Sequence, residues 1–386
     1  MKSLRLTIFF LFAFYFVFSQ KNDSIHLKVP KHYFQNTILF DYYQKPKVTL
    51  PPSDDIRSKL KSNQIKQSIV AVSIPVFTED FIKKDSSVSN INFLLTGYFL
   101  SFNPNFSGLE NNHYLKKNGI GFRFIYNNGK KSIFFIDVSP FSTFDKNFRQ
   151  DTRVIRMASL LLWSYSPSEK FNFRLGLTKS FMWGNRFYLP VIGFRFGRYD
   201  KINFSFQFPR IVSLNFPITN KFQISLFTKP QGGLFSISNA DSIYKKFINE
   251  NKVIYLGRYE FLGGLRIDVK PLKWLAFYIS AGKTVNNFLA LYSLHFNKNR
   301  QFEYGSFFQD TPAKSPFINF GITTYFGKTK SYYEQKNIDE MLHLNNQTGV
   351  GDNNTQVYQQ TDNFKKKEKF KVTNQEISDL INTFDY

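Results

Sequence analysis

The chain contains no cysteine among its 386 residues. This absence excludes disulfide bonds, cysteine-ligated zinc, a cysteine nucleophile and a lipid-modified amino-terminal cysteine. Histidine is also scarce, with five in the whole sequence, and their spacing is not typical of a metal site. Stability must therefore come from backbone hydrogen bonds and side-chain packing, and we expect neither a metal ion nor a cofactor.

Long apolar runs are missing as well. The most apolar stretch, Ile8 to Phe18, has about 11 residues, whereas a membrane-spanning helix needs about 20. It follows two basic residues and is followed at once by polar residues from Gln20. Val17 and Ser19 suit a cut before Gln20, so residues 1–19 are typical of a cleaved secretion signal rather than of a membrane anchor.

What the sequence has in abundance is alternation with a period of two. From Lys170 to Thr178 every odd-numbered residue is apolar and no even-numbered residue is, and the rhythm recurs up to about Phe326. Successive side chains of a strand point to opposite faces, so these strands must meet two different environments. With 48 Phe and 21 Tyr to supply an apolar face, we interpret those environments as lipid outside and water inside.

The pattern predicts an all-β fold, an antiparallel transmembrane β-barrel over residues 67–327. At roughly 20 residues per strand and turn, this length gives about 12 strands, within a range of about 10–14. Residues 20–66 are expected to form a short, irregular periplasmic segment. Residues 328–386 form a polar, partly disordered periplasmic tail, in which residues 374–385 have the spacing of one short helix.

The secretion signal, the aromatic strands and the punctuating turns resemble those of Gram-negative outer-membrane β-barrel proteins. The resemblance covers about two thirds of the chain and includes the stretch Phe317 to Phe326, which is similar to the assembly signal in the last strand of that family. Asn319, Gly321 and the terminal Phe326 match, whereas Thr324 stands where an apolar residue is usual and the chain continues beyond the aromatic residue. The resemblance implies export to the cell outer membrane.

The excess of positive charge points to an anionic environment. The chain has 51 basic and 28 acidic residues and a formal net charge of +23. Interleaved aromatic and basic residues could bind single-stranded nucleic acid, but the secretion signal argues against that partner. We expect instead contact with outer-membrane lipid and lipopolysaccharide at the rim, or a lumen that prefers anions.

Polar residues that alternate with apolar ones along the strands are candidates to line the lumen. They are Arg123, Arg174, Arg195, Arg258, Glu260, Arg266, Asp268, Lys283, Ser293 and His295. In a narrow barrel these residues would form a salt-bridged wall or plug, and in a wide one they would line a water path that favours anions.

Three functions remain open from the sequence. The leading hypothesis is a non-enzymatic barrel without catalytic residues, either a porin-like channel or a structural barrel. The second is a lipid hydrolase with Ser293 as nucleophile and His295 as base, although known outer-membrane lipid hydrolases carry the pair in the reverse order. The third is a membrane adaptor that recruits a periplasmic protein partner through its basic C-terminal tail, which includes Lys365 to Lys371.

Overall fold

The computed structural model describes most of the segment from Asn36 to Phe326. The described residues are 36–49, 62–82, 88–107, 112–128, 131–168, 170–184, 186–219, 221–238, 253–272, 274–296, 302–310 and 314–326. The expected secretion signal and C-terminal tail lie outside them.

Fifteen β-strands make up nearly all of the described part. They are β1 Asn36–Thr49, β2 Ser62–Ile82, β3 Val88–Ser107, β4 Leu115–Asn127, β5 Ser132–Asp145, β6 Val154–Ser168, β7 Phe171–Ser180, β8 Phe187–Phe196, β9 Asn203–Phe208, β10 Ile211–Thr219, β11 Phe222–Ser238, β12 Val253–Leu272, β13 Leu275–Phe296, β14 Phe302–Asp310 and β15 Pro316–Phe326. A 3-10 turn, Lys146–Phe148, leads into one short helix, α1, Arg149–Thr152. No helix among the described residues is long and apolar enough to cross a membrane.

The strands close into a ring. Neighbours from β1 to β13 pair antiparallel in chain order, and β15 pairs with β1 from Asn36↔Phe326 to Gln44↔Ile318. β14 and β15 both pair with β13, at different heights, and so together occupy one position in the wall. The result is an all-β antiparallel barrel, as the alternation predicted, with 14 strand positions. The preferred number of about 12 was wrong, in part because β1 belongs to the ring but precedes residues 67–327.

The wall also begins earlier than expected. Part of the segment 20–66, assigned to an irregular periplasmic extension, is β1, and β2 starts at Ser62. β1 is difficult to recognise as a strand from the sequence. Asp41, Tyr43 and Lys45 occupy its inward face, and only a short row of apolar residues lies on its outward face. Its backbone supplies the strand that joins the two ends of the sheet.

The two faces of the wall differ as the alternation predicted. On β4 the side chains of Ile120 and Phe122 are exposed, while that of Arg123, on the other face of the strand, is buried. The same outward apolar row continues around the ring at Leu175, Leu177, Ile192, Ile279, Phe320 and Ile322. A continuous exposed apolar surface of this kind on a closed ring is suited to contact with lipid.

The wall is low at β9 and β10, because these short strands end early on the side of the barrel opposite the described termini. β9 has 6 residues and β10 has 9, whereas β13 has 22. A tilted strand needs about 9–11 residues to cross a bilayer, so β9 falls short. The pairing of β10 with β11 ends at Val212↔Thr228, and among the described residues the rest of β11 has no partner strand on that side.

Beyond that point the hairpin of β11 and β12 folds into the barrel. We call residues Lys229–Ser238 and Val253–Leu262 the inward hairpin. Its residues 233–238 and 254–258 are buried on both strand faces, which a simple wall strand would not be. The ring of Phe235 stacks on that of Phe102 in β3 at 4.8 Å between centroids.

Further contacts place the inward hairpin against the opposite wall. Thr143 Oγ1 of β5 lies 2.7 Å from Ser236 Oγ, within hydrogen-bond distance. The guanidinium of Arg156 in β6 lies 5.0 Å from the ring centroid of Tyr255. β12, with 20 residues, is longer than a bilayer requires, and its end occupies the lumen rather than projecting beyond the membrane.

Glycines allow the strands to bend. A Cβ atom on Gly264 would collide with the carbonyl oxygen of Ala281 on β13, and one on Gly232 would lie 2.6 Å from the carbonyl oxygen of Met182. Adjacent glycines often mark a turn, but β11 continues through Gly232 and Gly233 without interruption.

The connection between β7 and β8 packs over the low side of the wall. The ring of Trp183 lies 5.9 Å from that of Phe208 at the end of β9 and 6.2 Å from that of Tyr259 on the inward hairpin. Phe181 meets Phe141 of β5 edge-on at 5.3 Å. This connection therefore ties the inward hairpin to both sides of the barrel.

The glycine bend yields a test of the fold. Gly264→Ala should destabilise the barrel by about 1–3 kcal/mol, because the added methyl group meets backbone that cannot yield. The matched control is Gly97→Ala on β3, where the nearest atom to an added Cβ is 4.0 Å away. The measurement is the folded, heat-modifiable fraction on cold gel electrophoresis, and equal fractions for the two variants would contradict this account.

Candidate functional site

A cluster of buried polar side chains joins the inward hairpin to strands β1 and β2. Glu260 of β12 accepts hydrogen bonds from Lys45 Nζ at 2.9 Å, from Arg258 Nη2 at 2.6 Å and from the Tyr43 hydroxyl at 2.9 Å. Arg258 Nη1 donates to Gln67 Oε1 at 3.1 Å. We call these five residues the latch.

The latch crosses the inside of the barrel. β1 and β2 carry Tyr43, Lys45 and Gln67, whereas Arg258 and Glu260 lie on β12, and two wall positions separate β1 from β12 in the ring. Arg258 and Glu260 are two residues apart and so share the inward face. The contacts hold the inward hairpin against β1 and β2, while its β12 strand stays paired with β13 from Ile254↔Ser293 to Phe261↔Asn286.

Electrostatics makes Glu260 the centre of the latch. One buried carboxylate stands between two buried cations, each with about 3% or less of its side chain exposed. The guanidinium of Arg258 also lies over the rings of Tyr43 at 5.3 Å and Phe102 at 4.9 Å. Such a group is stable only while the carboxylate is present, because an unpaired buried charge costs several kcal/mol, roughly 3–5.

A second buried ion pair lies on the wall itself. Arg123 of β4 and Asp137 of β5 are direct register partners, and Nε donates to Oδ2 at 2.9 Å. Ser139 donates to the other carboxylate oxygen at 2.6 Å, and Arg123 lies 5.4 Å from the ring centroid of Phe135. This pair braces two neighbouring strands and does not cross the lumen.

The inner wall of β6 to β9 carries a positive charge with neutral partners. Arg174 donates from Nε to Asn172 Oδ1 at 3.0 Å and from Nη1 to Gln207 Oε1 at 2.8 Å. Gly193 of β8 lies between Arg174 and Gln207 in register, and its missing side chain lets the guanidinium reach across that strand. Both partners of Arg174 are amide oxygens, which leave its charge uncompensated.

Nearer the described termini the inner wall is half-exposed. Arg266 Nη2 and Asp268 Oδ1 are 2.6 Å apart, with 36% and 33% of their side chains exposed. The guanidinium of Arg266 lies over the ring of Tyr278 at 3.8 Å. This end of the lumen is therefore reached by water, whereas the latch is not.

The candidate lumen residues fall into three groups. Arg123, Arg174, Arg195, Arg258 and Glu260 are buried on the inward face, and Arg266 and Asp268 are half-exposed there. Ser293 and His295 lie in β13 with their Cα atoms opposite Gly305 and Glu303, but their side chains are outside the described residues.

Lys283 does not line the lumen. It is exposed on the same face of β13 as Ile279, which is the lipid-facing side. A bulge interrupts the pairing of β12 with β13 between Leu262↔Thr284 and Phe261↔Asn286. Odd-numbered residues of β13 therefore face outward before the bulge and inward after it. A prediction from strict alternation does not include the extra residue of the bulge, and so it assigns Lys283 to the wrong face.

Sequence reasoning missed three of the five latch residues. Tyr43 and Lys45 lie on a strand that was not assigned to the barrel, although Asp41, Tyr43 and Lys45 at alternate positions were a usable signal. Gln67 and Gln207 were also missed, since an isolated glutamine in a strand carries no marker of its partner. No group of three or more metal-ligating side chains occurs in the described part of the chain.

A closed antiparallel ring with an apolar outside and a charged inside is the architecture of a Gram-negative outer-membrane β-barrel. Among solved structures, the chain is similar to an outer-membrane channel of Pseudomonas putida F1, with 8% identity, TM-score 0.37 and 79% of this chain and 100% of that chain covered. A mutant of the TodX monoaromatic hydrocarbon channel matches with 8% identity, TM-score 0.34 and coverages of 77% and 91%.

The translocator domain of the autotransporter NalP from Neisseria meningitidis matches with 13% identity, TM-score 0.27 and coverages of 84% and 98%. Similarity of this degree lies in the strand architecture alone. No protein-family model and no curated protein sequence matches the chain.

Buried and exposed ion pairs are expected to contribute differently to the stability of the barrel. Asp137→Asn should lower the free energy of unfolding by about 3 kcal/mol, because it leaves Arg123 charged and buried without a carboxylate. Asp200→Asn, which removes the exposed partner of Arg198 in the connection between β8 and β9, should have no measurable effect. Urea unfolding in detergent measures both, and an equally small loss for Asp137→Asn would contradict the assignment.

Proposed function

We propose that the chain is a non-enzymatic outer-membrane channel for small anionic solutes, which the structure holds in a closed state. The protein would be exported through its cleaved signal, with both described termini on the periplasmic side. The outward apolar surface supports the membrane location, and the closed wall removes the unpaired strand edges that hydrocarbon does not tolerate.

The inward hairpin carries this proposal. A barrel of 14 strand positions is wider than side chains alone fill, so its lumen conducts unless something occupies it. Here the occupant is part of the wall, anchored by a few polar contacts around Glu260. A hairpin that can pack against β1 and β2 or swing away from them, while it stays paired with β13, has two arrangements, and a channel gate requires two.

The inner wall supports a preference for anions. Arg174 faces inward with amide partners only, while the carboxylates Asp137, Glu260 and Asp268 are each paired with a cation and the inward carboxylate of Asp41 accepts a hydrogen bond from the Tyr278 hydroxyl. A lumen whose uncompensated fixed charge is positive attracts anions and repels cations.

The other hypotheses draw no support from the described residues. A purely structural barrel would have no use for a buried charged contact across its lumen, because apolar packing there is often as stable. The hydrolase rests on the side chains of Ser293 and His295, and the adaptor rests on the tail after Phe326. Both features lie outside the described residues.

The gate can be opened by mutation. Glu260→Gln leaves Lys45 and Arg258 buried without their carboxylate, so their repulsion should favour withdrawal of the hairpin and raise the frequency of conducting events in planar bilayers at least tenfold. Asp268→Asn, on the same strand but outside the latch, is the control and should conduct like the wild type. Equal conductance of all three proteins would reject the gate.

Selectivity can be measured in the opened channel. Adding Arg174→Gln to Glu260→Gln removes one uncompensated cation of the inner wall, so the ratio of chloride to potassium permeability should fall, as read from the reversal potential in a salt gradient. The control is Arg198→Gln in the same background, since Arg198 is exposed outside the barrel wall. An unchanged ratio for Arg174→Gln would rule out a role in selectivity.

A further inference from the structure

We propose that a basic patch on the outside of the barrel binds the phosphate groups of lipid A, the phosphorylated glycolipid of the outer leaflet. The patch consists of Lys116, Lys146, Arg149 and Arg153, at the rim opposite the described termini. The inference relies on the outer-membrane placement proposed above but not on channel activity.

The patch lies directly above the lipid-facing surface. Lys116 of β4 has the outward parity of Ile120, and its register partner on β5 is Phe144. The Lys116 ammonium lies 5.4 Å from the ring centroid of Phe99, which is itself exposed on the outside of β3. The Arg149 guanidinium lies 5.3 Å from the ring centroid of Phe144.

The four cations are not neutralised by the ion pairs of the described residues. Lys116 donates to a neutral partner, Ser101 Oγ, at 2.5 Å. A phosphate beside Lys116 would give its ammonium a charged acceptor in place of this neutral hydroxyl.

The nearest described carboxylate is turned away from the patch. Asp145 faces inward, where its carboxylate lies 2.5 Å from His113 Nδ1 and accepts from the Tyr114 amide at 3.3 Å. The sequence of α1 contains one more acidic residue, Asp151, against the four cations. Among the described residues of this part of the rim, the outward charge is therefore positive.

Hydrogen bonds hold the turn that carries the patch. The backbone amide of Lys146 donates to Tyr114 O at 2.8 Å, and the amide of Asp145 donates to Thr152 Oγ1 at 2.9 Å. Thr152 Oγ1 in turn donates to Phe148 O at 2.9 Å. The cations are thus presented from an ordered segment, which reduces the entropy lost on binding.

The chemistry favours a phosphorylated lipid over a free phosphate ion. Guanidinium groups bind phosphate oxygens in a bidentate manner, and clusters of Lys and Arg beside a membrane attract anionic headgroups. Directly below the patch, Phe99, Ile120, Phe122 and Ile155 are exposed and can contact acyl chains. A free ion would use only the cations, whereas lipid A would use both surfaces.

The test measures lipid binding to the purified full-length protein by native mass spectrometry. The probes are bisphosphorylated lipid A, lipid A with its phosphates removed, and phosphatidylglycerol. The variant is Lys116→Gln/Lys146→Gln/Arg149→Gln. The matched control is Lys131→Gln/Lys170→Gln/Lys221→Gln, three exposed cations at the opposite end of the barrel.

We expect the patch variant to bind bisphosphorylated lipid A about tenfold or more weakly than the wild type, and the control variant to bind like the wild type. Removal of the phosphates should abolish the difference between variant and control. Equal binding by patch variant and control, or equal binding of phosphatidylglycerol and lipid A by the wild type, would overturn the proposal. If the triple variant does not fold, the single variant Arg149→Gln replaces it in the comparison with the control. We expect this variant to bind bisphosphorylated lipid A several-fold more weakly than the wild type.

Discussion

Backbone hydrogen bonding is the constraint on which the rest of this structure depends. A strand in hydrocarbon has no water to satisfy its amides and carbonyls, so each must pair with a neighbour and the sheet must close. This requirement explains why β1 belongs to the wall in spite of its polar inward face, since β15 would otherwise end in an open edge. It also explains why β14 and β15 act together, because neither alone pairs along the whole of β13.

Closing the sheet with 14 strand positions creates an interior that wall side chains do not fill. The chain fills it with its own backbone, where the low β9–β10 hairpin frees β11 from its neighbour. Glycines permit the bend, aromatic stacking between Phe102 and Phe235 packs the far side, and the latch supplies polar contacts. The buried charge of Glu260 is thus placed where movement of one hairpin would expose it.

Charge is divided between the two faces of the barrel. Inside, Asp137 neutralises Arg123, one carboxylate faces two cations at the latch, and Arg174 retains its charge among amides. Outside, a basic patch lies at the rim where the apolar surface ends. In the two proposals made above, this positive charge would attract anions in the lumen and phosphorylated lipid at the rim.

The sequence by itself determined the class of fold, because the period of two and the aromatic content report directly on a wall between lipid and water. It also identified Arg123, Arg174, Arg258 and Glu260 as inward-facing candidates. Only the tertiary structure decided that β1 joins the ring, that a bulge turns Lys283 outward, and that Lys45 meets Glu260. Lys45 and Glu260 are more than 200 positions apart in the chain. A pattern of alternation specifies which face of a strand a residue lies on, but not which residue of another strand it contacts inside the barrel.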